Sequence, residues 1–412
     1  MENDNKIKKR VLVLGINFAP ELTGIGRYTG EMVSWLAEHN YETTLVTGFP
    51  YYPYWKVQQP YTGNFYKTET LSDNLKVYRC PLYVPVAPSG LKRLIHEATF
   101  FLSSFFVVFL LLFKRKNDLI FSIAPPFHLG FLALFYRFFK GGKIVYHIQD
   151  LQVDAAKQLK MLPDGLFSVL FALEKFILKR VDYVSTISEG MTRQIVNKWS
   201  REITFFPNWV DIHNYFPVVQ RALLKPKWGF SMDDRIVLYS GSIGEKQGLD
   251  SLVRIAEQLK EEKVIKFVIC GTGPFKEKLI EMCKEKGLDN VSFLPLQSNE
   301  VFNDFLNVAD VHLVLQKADA SDLVMPSKLT TILAVGGLAL VTAHPGTSLG
   351  DVIRRYEMGM VIPPENEDSL KNAIVLCCKN DYTKERFNAR EYAKQYLDKD
   401  SILAKLMQQL KM

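Results

Sequence analysis

Short apolar runs alternate with helical patterns along the whole of this chain, and that alternation decides most of what it can fold into. In the first half the runs are "VLVLGI", "TTLVTG", "KVYRC", "DLIFSI", "KIVYHI", "YVSTIS" and "ITFFP". In the second they are "RIVLYSG", "KFVICG", "VSFLPL", "VHLVLQ", "LALVTA" and "GMVIPP". Near-continuous apolarity marks strands covered on both faces of a parallel sheet. The pattern restarts at "RIVLYSG", after "FPNWVDIHNYFPVV", a segment rich in Pro, Asn and aromatics. A chain of 412 residues suits two cores of roughly 200 residues each. The predicted fold class is therefore α/β, with two doubly wound Rossmann-like domains. We place the first at residues 1–208 and the second at 209–385, with a C-terminal helical stretch, 386–412, returning to the first. Ligands in such sheets sit at the carboxyl ends of strands, so the site is expected in a cleft between two facing sheets.

Charge is unevenly spread. The chain has 51 Lys and Arg against 44 Asp and Glu, but the first 200 residues hold 24 against 16. Basic charge confined to one half points to anionic lipid or a phosphorylated substrate as its partner, and no nucleic-acid-binding motif accompanies it. The five cysteines show no Cys-x-x-Cys spacing, in keeping with free thiols in a reducing cytoplasm. The start, "MENDNKIKKR", does not read as a signal peptide. Ala98–Phe113, "ATFFLSSFFVVFLLLF", is uncharged, broken by Ser103 and Ser104, and followed by Lys114, Arg115 and Lys116. It falls short of the ~20 residues that span a bilayer. Two readings remain for it and for the later "PPFHLGFLALFYRFF": buried helices of an α/β layer, or a face that docks into lipid while the basic residues meet headgroups.

Several polar or glycine-rich stretches lie at predicted strand ends. "ELTGIGRYTGEM" has the spacing Gly24-x-Gly26-x-x-x-Gly30 and leads into an expected helix, "MVSWLAEHN". A dinucleotide site requires Gly-x-Gly-x-x-Gly directly after the first strand and an acid closing the second; neither is present. In "YSGSIGEKQGLD", amides of Gly241, Ser242 and Gly244 with Lys246 suit a diphosphate; the alternative is a plain glycine turn. "CGTGPFKEKL", with Gly271 and Gly273, is a second strand–glycine–helix turn. In "MPSKLTTILAVGG", Pro326, Ser327 and Lys328 open a helix with a hydroxyl and a cation suited to a diphosphate, although Ser327 also suits an N-cap. In the first half, His147 and Asp150 leave one strand together in "YHIQDLQVD", as a catalytic or hydroxyl-binding pair would. Ser185, Ser188, Asn208 and Asp211 read as organisers of turns. Asp398-Lys399-Asp400 reads as a solvated charge pair, so no metal site is expected.

Together, "PELTGIGRYTGEM", "FPYYPYW", "YRCPLYVP", "HIQDLQVDAA", "VSTISEGM", "FFPNWVD", "LYSGSIGEKQGL", "CGTG" and "MPSKLTTILAVGG" resemble the family 4 glycosyltransferases of the GT-B fold. The likeness runs over essentially the whole chain and is nearest to the WcaI-type enzymes of colanic-acid and capsular polysaccharide synthesis. It implies a retaining, metal-independent transfer from a nucleoside-diphosphate sugar, which serves as co-substrate with no other cofactor. Lys246 and Lys328 would neutralise the leaving diphosphate. Amides around Gly241–Glu245 (Glu245 included) and from Pro326 to Leu329 would assist. The Gly24-Ile25-Gly26 loop would close over the phosphates, and His147 and Asp150 would contact sugar or acceptor. The implied acceptor is a polyprenyl-diphosphate-linked glycan at the inner face of the cell membrane, and GDP-fucose is the first donor to consider. Two positions depart from the broad family. Ser242 stands where an Arg follows the first-loop glycine, and Thr331 stands for the second Glu of a Glu-x₇-Glu pattern whose first member falls near Asp322 or Leu323. The competing functions are a nucleotide-sugar epimerase and a non-catalytic sugar-nucleotide-binding assembly protein.

Overall fold

The computed structural model describes residues 8–21, 24–158, 164–196, 198–199, 201–316 and 326–412. The chain divides into two compact units, Met1–Pro207 with Leu403–Met412, and Asn208–Ile402.

In unit 1 the elements run β1 (Arg10–Leu14), α1 (Gly24–Glu38), β2 (Glu42–Gly48), β3 (Lys67–Ser72), β4 (Leu75–Cys80), α2 (Gly90–Leu111), β5 (Leu119–Ala124), α3 (Leu129–Lys140), β6 (Lys143–Ile148), α4 (Gln152–Gln158), α5 (Asp164–Leu178), β7 (Tyr183–Thr186), α6 (Glu189–Val196) and β8 (Ile203–Phe205). The sheet order is β3-β4-β2-β1-β5-β6-β7-β8, parallel except where β3 pairs antiparallel with β4. Strands β1 and β5 are buried almost throughout, as their unbroken apolar sequence requires. Of the described strands, β3 alone escapes the apolar pattern. Its "KTETLS" is largely exposed, and an edge strand wet on both faces leaves no hydrophobic signature.

Unit 2 runs β9 (Arg235–Ser240), α7 (Leu249–Gln258), β10 (Ile265–Cys270), α8 (Lys276–Glu285), β11 (Val291–Leu294), α9 (Asn299–Val308), β12 (Val311–Val314), α10 (Lys328–Ala334), β13 (Ala339–Thr342), α11 (Ser348–Arg355), β14 (Gly359–Ile362), α12 (Glu367–Lys379) and α13 (Thr383–Tyr396), then α14 (Lys399–Gln409). Its order is β11-β10-β9-β12-β13-β14, with every pairing parallel. The order reverses between β9 and β12. Successive crossovers leave on opposite sides there and open a crevice at the carboxyl ends of those two strands. Helix α13 packs on α10 inside unit 2. The piece that groups with unit 1 is therefore Leu403–Met412, shorter than the expected 386–412; its Leu403, Leu406, Met407 and Leu410 are buried.

Two local expectations need correction. The helix expected from Met32 begins eight residues earlier, at Gly24, so Gly24, Ile25 and Gly26 form its first turn. Most of the uncharged run Ala98–Phe113 is the later part of a helix that runs from Gly90 to Leu111. At 22 residues α2 is long and apolar enough to cross a membrane, with a third of its most apolar window buried. Yet β4 before it and β5 after it lie in the same sheet, and α2 packs on β2, β4 and α3. It belongs to the α/β layer.

Candidate active site

The switch point of unit 2 is built from two loops and one lysine. After β9 the chain turns through Gly241–Gly244 into a 3-10 turn, Glu245–Gln247; Lys246 lies in this turn, and its side chain falls outside the described residues. The loop is held by the one after β10: Gly241 N donates to Cys270 O (2.9 Å), Ile243 N to Thr272 O (2.8 Å) and Phe275 N to Ile243 O (3.2 Å). This cross-lacing explains both glycines of "CGTG". A Cβ on Gly271 would stand 1.9 Å from Gly241 O and one on Gly273 2.2 Å from Ile243 O, at φ of +153° and +155°. Gly271 and Gly273 therefore buttress the first loop. The expectation that amides of Gly241 and Gly244 are offered to a ligand is corrected as well. The first is spent on Cys270 and the second on Gln247 Oε1 (3.1 Å). Ser242 is exposed, and its carbonyl accepts from the Tyr239 hydroxyl at 2.7 Å.

Lys328 is the first residue of α10 and reaches back to this loop. Its side chain is partly exposed along the stem, but Nζ is shut off from solvent and has no hydrogen-bond partner among the described residues. The ammonium lies over the Tyr239 ring, 3.6 Å from its centroid. It also presses on Gly241, where a Cβ would meet Cε and Nζ at 3.1 Å. Burial alone pushes its pKa down to about 7. A face-on cation–π contact offsets part of the cost of desolvating an ammonium, but a buried cation without a counter-charge remains expensive.

The residues around Lys328 play narrower parts than expected. Ser327 is helical at φ −60° and ψ −26° and makes no side-chain cap. Leu329 N donates to Pro326 O at 3.0 Å, and its side chain is core. The Thr331 hydroxyl donates to Lys328 O at 2.9 Å and is buried, so it fixes the backbone that carries the lysine. Asp322 and Leu323 lie outside the described residues.

In unit 1, His147 is not presented to a substrate. It is 2% exposed, its Nδ1 lies 3.0 Å from Ser185 Oγ, its ring packs on Phe206, and burial pushes its pKa down to about 3. A neutral, enclosed imidazole organises the core. Asp150 is half-buried just past β6, and its carbonyl accepts from Gln152 N. Ser188 and Asp211 organise turns, accepting from Met191 N and from His213 N and Asn214 N.

Two carboxylates escaped sequence reasoning. Glu21, within the quoted "PELTGIG", is buried and accepts from Tyr51 N (2.8 Å), Tyr52 N (2.9 Å) and Asn17 Nδ2 (2.9 Å). Desolvation outweighs those bonds and raises its pKa to about 7. Gly26 is a glycine because a Cβ there would lie 2.7 Å from Glu21 Oε2. Thus the "TGIGR" turn is seated on Glu21. Glu97 on α2 accepts from Gln152 Nε2 with both oxygens (2.8 and 2.9 Å) and is likewise raised to about 7 by burial. His128 Nε2 lies 3.3 Å from Glu97 O. Glu97, Gln152 and His128 thus gather where β5 and β6 end.

Two doubly wound Rossmann-like units in one chain, the second with an enclosed lysine at its switch point, are the architecture of the GT-B class. Two family models cover the chain in succession. "Glycosyl transferase 4-like domain" matches residues 23–209, and "Glycosyl transferases group 1" matches 220–396. The chain belongs to this glycosyltransferase family and is a glycosyltransferase. Among particular proteins it is 39% identical over 416 residues to WcaI of Escherichia coli, described as a putative colanic acid biosynthesis glycosyl transferase, covering 98% of this chain and 100% of that one. Sucrose-phosphate synthase from Thermosynechococcus elongatus shares the fold at 17% identity, with a TM-score of 0.75 and 98% of each chain covered. HepE from Anabaena, solved with UDP and glucose, gives 14% and 0.70, over 97% of this chain and 99% of that one.

Proposed function

We propose that this glycosyltransferase moves a sugar, with retention and without a metal, from a nucleoside-diphosphate sugar to a polyprenyl-diphosphate-linked glycan in surface polysaccharide synthesis at the inner face of the cell membrane. The observation that carries the donor half is Lys328, an enclosed ammonium with no described partner at the switch point of a doubly wound sheet. A diphosphate brings an opposite charge, and its demand for a cation grows as the glycosidic bond breaks. Lys246 is assigned the same duty by family resemblance, as is retention of configuration. The Tyr239 hydroxyl holds the loop after β9 and the Thr331 hydroxyl the first turn of α10, while Gly271 and Gly273 let the loop after β10 approach the first. The acceptor half falls to unit 1. There Asp150 keeps its assignment to sugar or acceptor, while His147 gives way to Glu97 as the titratable group near neutrality. The colanic-acid relative makes GDP-fucose the first donor to test, and the HepE complex with UDP-glucose brings in a uridine donor beside it.

The test is incubation of purified protein with membrane extract and a panel of labelled nucleotide sugars. Label should enter the organic-extractable lipid fraction with at least one donor, and Lys328→Ala should slow this by about 10²–10³-fold. Consumption of no donor would overturn the assignment.

A further inference from the structure

Helix α2 is apolar on both sides. Its inner face, with Phe100, Val107, Val108 and Leu111, is buried in unit 1. Its outer face repeats large apolar side chains at helical spacing, with Leu102 68% and Phe106 52% exposed, and Phe113 just beyond its end is 78% exposed. A helix of a water-soluble layer shows a polar outer face instead. The two neighbouring helices do the same. Phe138 and Phe139 at the end of α3 are 82% and 58% exposed, and Val169, Leu173 and Phe176 form an exposed stripe on α5. Ring contacts join the three. Phe105 of α2 meets Phe135 of α3 at 4.9 Å between centroids, Phe135 meets Phe139 at 5.2 Å, and Phe131 meets Phe176 of α5 at 5.9 Å. These contacts link exposed apolar side chains of three neighbouring helices, and a contiguous exposed apolar patch marks an interaction site.

Charge says what covers it. Each of these helices is a crossover in a parallel sheet, so all three run back toward the same edge. Each ends in basic residues: Lys114, Arg115 and Lys116 after α2, Lys140 at the end of α3, Lys179 and Arg180 after α5. The Arg180 guanidinium lies 3.6 Å over the Phe176 ring. Carboxylates are scarce. Glu97 is the sole one in α2 and α3 by sequence, α5 carries Asp164 and Glu174, Glu174 is buried against Lys198, and Asp182, just past α5, is paired with Arg137. Exposed Phe and Leu rimmed by an excess of Lys and Arg, with the acid at the rim, Asp182, paired to Arg137, fit an anionic bilayer surface better than another protein.

We propose that the outer faces of α2, α3 and α5 form a single docking surface for an anionic lipid bilayer, entering one leaflet without spanning the membrane, with the basic helix ends at the headgroups. The surface is independent of the donor site. It rests on the proposed function only for its purpose, which is to bring unit 1 to a lipid-borne acceptor.

The experiment is flotation of the full chain with vesicles of phosphatidylglycerol and phosphatidylethanolamine, against phosphatidylcholine alone. The wild type should float with the first, weakly with the second, and be released by carbonate. Arg115→Gln with Lys116→Gln removes two charges from the rim. This pair should lower partition into the anionic vesicles roughly 30-fold and barely alter the neutral ones. Phe106→Ser with Phe138→Ser and Phe139→Ser should abolish flotation on both. The same variants should keep the wild-type thermal shift with nucleotide, which shows that unit 2 and its site are intact. Flotation of the aromatic variant like the wild type would overturn the proposal. So would a wild type that never floats, that resists carbonate as a spanning protein does, or that self-associates through this face without lipid. Because nucleotide binding is read separately, loss of the donor site and loss of docking are distinguished.

Discussion

Titration of Lys328 gives a quantitative handle on the donor site. Its ammonium is enclosed, unpartnered among the described residues and lies 3.6 Å from the Tyr239 centroid. Burial lowers its pKa from 10.5 to about 7, a bias on the order of 5 kcal/mol against the charged form. A diphosphate charge at ~4 Å returns about 4 kcal/mol at an effective dielectric constant of about 20, enough to bring the lysine back near its ordinary pKa. At pH 8 the free protein is then roughly 10% protonated at this site and the complex almost fully so. Binding should take up about 0.9 proton at pH 8 and about 0.1 at pH 6. A nucleotide sugar has no phosphate group titrating in this range, so the uptake reports the protein. Calorimetry at pH 8 in Hepes and in Tris reads the proton count from the dependence of the observed enthalpy on buffer ionisation. Affinity should also weaken about tenfold per pH unit above pH 7. No uptake at pH 8, or the same uptake in Lys328→Met, would refute the reasoning.

The other predictions concern the supports. Gly273→Ala forces a Cβ to 2.2 Å from Ile243 O, so it should separate the two loops and remove the nucleotide-induced thermal shift, while Gly165→Ala, with nothing within 4 Å, should not. Gly26→Ala places a Cβ 2.7 Å from Glu21 Oε2 and should cost about 1–3 kcal/mol in urea unfolding; an unchanged midpoint would show that Glu21 does not seat this turn. His147 has a folded pKa of about 3, below its unfolded value. The unfolded state therefore binds the extra proton, and stability falls as pH drops from about 6.5 toward 3. His147→Phe should make that fall shallower by up to about 1.4 kcal/mol per pH unit, read as the slope between pH 7 and 4.

The architecture was legible because a parallel sheet covered on both faces writes itself as apolar runs. All six described strands of unit 2 and every described strand of unit 1 but β3 stand out in this way. Polar β3 could not. Lys328 drew notice in the sequence because it follows Pro-Ser at the start of a helix, whereas its enclosure is a property of the fold. What the sequence withheld was accessibility and closure. His147 has the residue type of a catalyst, but only the packing of Phe206 and Ser185 reveals that it is enclosed. The amides of Gly241 and Gly244 are donors on paper, yet their partners, Cys270 O and Gln247, come from a loop contact and a local side chain that no motif encodes. Glu21 and Glu97 passed as ordinary acids because their desolvation is a tertiary property. Tyr239 left a fainter trace, a tyrosine within an otherwise aliphatic strand end just ahead of the glycine loop.

The most direct measurement of the central claim is sugar transfer itself: label from a nucleotide sugar entering extracted polyprenyl-linked lipid, with the product's anomeric configuration read by NMR. Transfer should proceed with the donor's configuration retained, and Lys328→Ala should lose about 10²–10³-fold in rate. Inverted product, or a Lys328→Ala protein as active as wild type, would contradict it.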